Sequence, residues 1–99
     1  MVLHKLVVTR RTIESIIKDC ISMMNNNKNN KVKMDYVKIA EMIKAGYCMA
    51  LNLKKDKECS FLAEKFCLAL ENIDSLILQF FSDKNVEVPS IEDIFSIKL

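Results

Sequence analysis

The chain of 99 residues is long enough for one domain but too short for two independent hydrophobic cores. Its composition, 51% hydrophobic and 28% charged, is close to globular averages and excludes a disordered, collagen-like or low-complexity protein. A single glycine and a single proline leave too few turn residues for a β-sandwich or a barrel. We therefore predict one all-α domain over residues 1–99, a small antiparallel bundle of three main helices plus a short C-terminal helix.

The net charge of +2 conceals an uneven distribution along the chain. Residues 1–55 hold eleven Lys/Arg and four Asp/Glu, which gives +7, whereas residues 56–99 hold four lysines and nine acidic residues, which gives −5. This uneven charge fits two halves of the chain that neutralise each other in the fold, or a basic surface that binds an acidic partner or nucleic acid. The candidates for that basic patch all lie in the first third of the chain: Lys5, Arg10, Arg11, Lys18, Lys28, Lys31 and Lys33.

The first third is predicted to contain an arm, a helix and a loop. Residues 1–8 have a strand-like composition but no partner strand, so we expect an extended N-terminal arm or, as the alternative, a lead-in to the first helix. A helix from residue 9 or 12 to residue 24 follows, because its apolar residues share one face of a 3.6-residue period. Residues 25–34, rich in asparagine and lysine, are predicted to form a flexible loop.

The second helix is predicted over residues 35–53, with Asp35 at or near its N-cap. Gly46 falls within the apolar arc of this helix, where it is either a tolerated glycine or the site of a close helix crossing. Charged residues around 54–58 then indicate a short turn, because one continuous helix could not bury both apolar faces in so small a chain.

The third helix, over residues 56–82, is expected to be the centre of the core. Phe66, Ile73 and Phe80 are seven residues apart on its apolar seam, so they should share one face, in the core or at a dimer interface. A short fourth helix over residues 91–97 should begin at an N-cap, Ser90, and dock as a lid on the bundle.

The sequence lacks the residues of most catalytic and metal sites. His4 is the only histidine, so no Ser/His or Cys/His nucleophile pair is available, and we predict a protein that is not an enzyme and has no cofactor or metal. The four cysteines match no zinc spacing and lie in helical patterns, which favours reduced thiols and a cytoplasmic location. Residues 61–81, the most apolar stretch, contain four charged residues, so we expect no membrane span.

Two features point to a binding surface. Asp74 falls within the apolar arc of the third helix, where it either reaches water or an internal partner at the edge, or contacts a cation of another protein. The second and third helices each have an apolar arc of about 200°, wider than the roughly 100° of an ordinary surface helix. Met42 and Met49 add adaptable apolar surface to the second helix.

We therefore expect a non-enzymatic protein–protein interaction module, such as an adaptor, an inhibitor or an assembly subunit, that acts through an apolar helical surface. Size and composition also fit a virus-encoded protein working in a host cell. The candidate contacts are Phe66, Ile73, Asp74, Phe80, Met42 and Met49, and the partner is another protein or a second copy, most simply in a homodimer. The alternative is an accessory subunit of a viral or cellular nucleic-acid-processing complex, in which the basic third makes weak backbone contacts.

Overall fold

The computed structural model describes residues 2–30 and 33–96. Of these residues, 86% are helical and none lies in a strand, which confirms the all-α prediction for this part of the chain. Four α-helices follow one another, and a 3₁₀ turn at Lys57–Cys59 precedes the third. They are α1 (Val2–Asn30), α2 (Tyr36–Lys54), α3 (Ser60–Ser82) and α4 (Ile91–Ser96).

The N-terminal end of α1 corrects the prediction of an extended arm, which is wrong for residues 2–8. The Lys5 ammonium donates hydrogen bonds to the main-chain oxygen of Asn52 and to the Asp56 carboxylate, both at 3.1 Å. Leu6 is half-buried against the core in the same turn. These tertiary contacts outweigh the preference of the valines in this segment for strands, since propensity is a weak determinant of local structure.

The C-terminal end of α1 also extends further than expected. The predicted loop at 25–34 is wrong for residues 25–30, which continue the helix, whereas residues 33 and 34 lie outside any helix. The Lys28 ammonium donates a hydrogen bond of 3.2 Å to the main-chain oxygen of Val86, which fastens the last turns of α1 to the segment after α3. That contact offsets the poor helix propensity of the asparagines. Residues 31 and 32 lie outside the described residues.

Side-chain caps mark the starts of α2 and α4, as predicted. Asp35 Oδ1 accepts a hydrogen bond of 3.1 Å from the amide of Lys38. Ser90 Oγ accepts one of 3.2 Å from the amide of Asp93, whose carboxylate accepts one of 3.1 Å from the amide of Ser90. Because each exchange satisfies amides that have no partner within the helix, the caps fix where the two helices begin.

The turn between α2 and α3 is short, as predicted, but α3 begins four residues later than expected. Asp56 has an extended backbone, with φ −88° and ψ 118°, so the chain bends there before the 3₁₀ turn. At the other end of the chain, α4 docks Ile94 in the core and leaves Ile91 and Phe95 half-buried. The predicted end of this helix at residue 97 lies outside the described residues.

The core lies between α1, α2 and α3, and Gly46 of α2 lies close to side chains of both other helices. A β-carbon added to Gly46 would stand 2.9 Å from Cδ1 of Ile16 in α1 and 3.4 Å from both δ-carbons of Leu70 in α3. Of the two roles open to Gly46, the structure therefore confirms a close helix crossing. The largest fully buried side chains include Ile13, Ile17, Met24, Ile39, Leu53, Leu70, Ile73 and Phe80.

Three polar contacts define the register of α2 against α3 and the segment that follows it. At one end, Lys84 donates a hydrogen bond of 3.4 Å to the Tyr36 hydroxyl. In the middle, the Tyr47 hydroxyl bonds the Glu71 carboxylate at 3.3 Å. At the other end, Lys54 forms an ion pair with Glu64. Later residues of α2 thus meet progressively earlier residues of α3.

None of the helices in the described ranges is long and apolar enough to cross a membrane.

Candidate interaction surfaces

The seam of α3 lies in the core. Phe66 is 5% exposed, and Ile73 and Phe80 are fully buried, so the three side chains share one buried face as their spacing predicted. Phe66 also forms part of the floor of a groove between α1, α3 and α4. Intrachain packing occupies these side chains, so their role in the folded chain is to hold the bundle together.

The two methionine candidates lie at the margins of the core. Met42 and Met49 are both half-buried and pack against it. Met49 also lines a shallow cleft between the start of α1 and the end of α2, together with His4 and Asn52. Neither methionine is among the residues that line the groove around Asp74.

The basic residues of the first third do not share one surface. Lys5 is paired with Asp56 at one end of the bundle, and Lys28 bonds Val86 at the other. Arg10 lies 3.6 Å from the Glu14 carboxylate one turn further along α1. The remaining described members of the set, Arg11, Lys18 and Lys33, are exposed, and Lys31 lies outside the described residues.

Asp74 is exposed and lines a groove between α2 and α3. Its neighbours in the groove include Lys44 and Glu71 on the rim and Leu70 on the floor. Neither Asp74 nor Lys44 forms an ion pair or a hydrogen bond with any residue in the described ranges. Two opposite charges therefore stand on facing walls of one groove without an internal partner.

Exposed side chains of α2 continue this groove along the helix. They recur at spacings of three and four residues, which places them on one side of the helix, away from the core. Val37 is 71% exposed and Leu51 is 43% exposed. Between them, Ala40, Lys44 and Cys48 line the groove.

The facing stripe of α3 consists of Glu71, Asp74, Leu78 and Phe81, which are all exposed. Leu78 and Phe81 are 62% and 61% exposed, and the Phe81 ring meets the Tyr36 ring edge-on, with centroids 4.5 Å apart. We call the two stripes together the α2/α3 face. It comprises Val37, Ala40, Lys44, Cys48 and Leu51 of α2 with Glu71, Asp74, Leu78 and Phe81 of α3.

Neutral groups lie between the charges of the α2/α3 face. Repulsion from the Cys67 thiolate, which forms only at high pH, and from the Glu71 carboxylate raises the pKa of the Tyr47 hydroxyl, so this hydroxyl stays protonated and donates to Glu71. Burial raises the pKa of the Cys67 thiol, and the nearby Glu64 carboxylate adds to the effect. The formal charges of the face at neutral pH are therefore one cation on α2 and two carboxylates on α3.

A second groove runs between α1, α3 and α4. Its apolar floor is formed by Leu6, Leu62, Phe66, Ile91 and Phe95. Both basic and acidic side chains line this groove: Arg10, Lys18 and Lys65 with Glu14 and Glu92. Because α1 alone supplies both signs to this rim, with Arg10, Glu14 and Lys18, the charges are not separated by helix as they are on the α2/α3 face.

Sequence reasoning found Asp74 but missed the rest of the α2/α3 face. Val37, Lys44 and Leu51 are seven residues apart, and so are Glu71 and Leu78. Asp74 and Phe81 repeat the same spacing. This second seven-residue pattern, offset from the buried seam, was the available signal.

Comparison of the chain with protein-family models, curated proteins and solved structures finds no match.

Proposed function

We propose that this chain is a non-enzymatic protein–protein interaction module that uses the α2/α3 face as its contact surface. The observation that carries the proposal is the exposure of Val37, Leu78 and Phe81, each more than 60% exposed, around an unpaired cation and an unpaired carboxylate. Exposed apolar side chains clustered on one surface and rimmed by polar groups are typical of interaction sites.

The scaffold of this module is an antiparallel bundle. The register from Tyr36–Lys84 through Tyr47–Glu71 to Lys54–Glu64 supports opposite directions for α2 and α3. The bond from Lys5, near the start of α1, to Asn52, near the end of α2, supports the same relation for α1 and α2. A bundle with a packed core presents its surface side chains in fixed positions, as an adaptor, an inhibitor or an assembly subunit requires.

A reducing, cytoplasmic environment suits this module, including that of a host cell if the protein is virus-encoded. Its four cysteines are free, and three of them are buried as small apolar side chains.

Site-specific photocrosslinking in the cells that express the protein tests the proposal. A photoreactive phenylalanine analogue at Leu78, on the α2/α3 face, should give abundant adducts with protein. The same analogue at Leu68, which is 40% exposed on α3 but is not part of the face, is the matched control. We expect several-fold more adducts from position 78, and equal yields from the two positions would refute the proposal.

One observation favours the alternative function, an accessory subunit of a nucleic-acid-processing complex. Arg10, Arg11 and Lys18 are all exposed on α1, where they could contact phosphates. Because such contacts release counterions, binding to DNA or RNA should weaken steeply with salt and show little sequence preference. Charge reversal at Arg11 and Lys18 that abolished tight binding in about 0.2 M salt would promote this function over protein binding.

A further inference from the structure

We propose that the α2/α3 face binds a second copy of this chain. The two copies are related by a twofold axis that lies in the interface between them, over the groove between α2 and α3 and parallel to both helices. This inference rests on the proposed function, because it names the partner of the same face. It follows from the order of charged and apolar residues along the two stripes.

The register of α2 and α3 determines which positions lie level with one another. Between the observed pairs Tyr36–Lys84 and Tyr47–Glu71, the chain places Lys44 level with Asp74. Lys44 and Asp74 accordingly line the same groove.

The apolar positions of the face follow the same register. Val37 lies level with Phe81, and Ala40 lies level with Leu78. At the same levels, each stripe therefore has one charged position followed by two apolar positions. These are Lys44, Ala40 and Val37 on α2, and Asp74, Leu78 and Phe81 on α3.

A twofold rotation about an axis parallel to the helices exchanges the stripes without changing their levels. It lays α2 of one copy over α3 of the other, so Lys44 meets the partner's Asp74, and Asp74 meets the partner's Lys44. Val37 then meets the partner's Phe81, and Ala40 meets the partner's Leu78. A face with a basic stripe beside an acidic stripe is thus complementary to its own copy in this arrangement.

The other twofold arrangement through the centre of the face brings like charges together. An axis perpendicular to the helices lays α2 over α2 and α3 over α3. Lys44 would then meet the partner's Lys44, and Asp74 the partner's Asp74. Because like charges brought together at an interface oppose association, the charge order selects the parallel axis.

Packing considerations favour the same arrangement. The seven-residue spacings of Val37, Lys44 and Leu51, and of Asp74 and Phe81, are those of helices that interlock side chains along a seam. An interface that covered Lys44 or Asp74 without the other would leave a desolvated charge without a partner. The two reciprocal pairs avoid that cost for Lys44 and Asp74 and fix the register of the two copies, while Glu71 keeps its hydrogen bond from Tyr47.

Charge reversal on full-length chains tests the proposal, with mass in solution measured by analytical ultracentrifugation over a range of concentrations. The wild type should be a dimer at high micromolar concentration. Lys44→Asp alone and Asp74→Lys alone should each weaken self-association by at least about tenfold, because each puts like charges together twice in the dimer. Lys38→Asp, an exposed charge reversal on α2 away from the face, is the matched control and should leave dimerisation unchanged.

Mixing the two single variants separates contacts between chains from contacts within one chain. In a dimer of one K44D chain and one D74K chain, both reciprocal pairs join opposite charges. The mixture should therefore form dimers that neither variant forms alone. A charge effect confined to the monomer could not be rescued by mixing, and circular dichroism confirms that each variant is folded.

Two results would overturn the inference: a wild type that stays monomeric at high micromolar concentration, or a dimer that tolerates K44D and D74K separately. Either result leaves the proposed function intact if position 78 still crosslinks to other proteins. If position 78 crosslinks no protein, the proposed function fails as well.

Discussion

At Gly46, helix propensity and side-chain packing favour different residues. Glycine in a helix interior costs about 1 kcal/mol relative to alanine. A β-carbon at this position would stand 2.9 Å from Cδ1 of Ile16, which is too close unless that side chain moves. The sequence could place Gly46 in the apolar arc of α2, but only the packing of the three helices shows that an alanine there would displace Ile16.

This balance predicts a coupling between positions 46 and 16. Gly46→Ala alone should leave the stability nearly unchanged, because the cost of moving the Cδ1 end of Ile16 offsets the gain of about 1 kcal/mol in helix propensity. Ile16→Val removes Cδ1, so adding G46A to I16V should instead stabilise the protein. Urea unfolding of the four chains measures the coupling, and additive effects of the two substitutions would contradict this account.

The cysteines differ in reactivity because burial differs among them. Burial, with added repulsion from Asp19 and Asp74, raises the pKa of the Cys20 thiol from 9.0 to about 12. Cys20 therefore stays protonated and shielded in the folded chain, whereas Cys48 is exposed.

Alkylation in dilute native protein should accordingly modify Cys48 first and Cys20 only on unfolding. Mass spectrometry of timed samples locates each adduct, and equal rates at the two thiols would contradict the burial.

The raised pKa of Cys20 also makes the stability of the protein depend on pH. Above about pH 9 the unfolded chain loses the Cys20 proton while the folded chain keeps it, so the contribution of this thiol to stability falls between about pH 9 and pH 12.

At the level of elements, apolar periodicity predicted where helices exist better than where they end. The period of α2 and α3 was unambiguous because their apolar residues pack on one another through the whole core. The extra turns of α1 could not be predicted, since they depend on contacts of Lys5 with Asp56 and of Lys28 with Val86, more than 50 residues away in sequence. Helix propensity depends on each residue and its sequence neighbours, so it cannot predict such contacts.

The start of α2, by contrast, was readable from a single residue, and its cap can be tested. Asp35→Ala removes the acceptor for the Lys38 amide and should cost about 1 kcal/mol of stability. Asp35→Asn keeps a side-chain oxygen at the same place and should cost much less. Thermal unfolding followed by circular dichroism compares the two variants, and equal losses would show that the charge rather than the hydrogen bond matters.

At the level of the whole molecule, the wide apolar arcs of α2 and α3 have two different uses. One side of each arc, with Ile39 and Ile73, is buried between the three long helices. The other side, with Leu51 and Phe81, stays at the surface. Periodicity alone could not divide the arcs, because the boundary depends on how far α1 and α4 extend over the bundle. Asp74 was detectable only as an exception within an apolar stripe.

The neighbouring residues Phe80 and Phe81 separate these two uses. Phe80 is fully buried, so Phe80→Ala should leave a cavity and cost about 3–5 kcal/mol, a large part of the stability of a domain this small. Phe81 is 61% exposed, so Phe81→Ala should cost much less in the monomer and instead weaken association through the α2/α3 face. Urea unfolding at low concentration measures the first effect, and sedimentation at high concentration measures the second. If F81A unfolded the monomer as readily as F80A, Phe81 would be a core residue, and the division of α3 into a buried seam and an interaction stripe would be wrong.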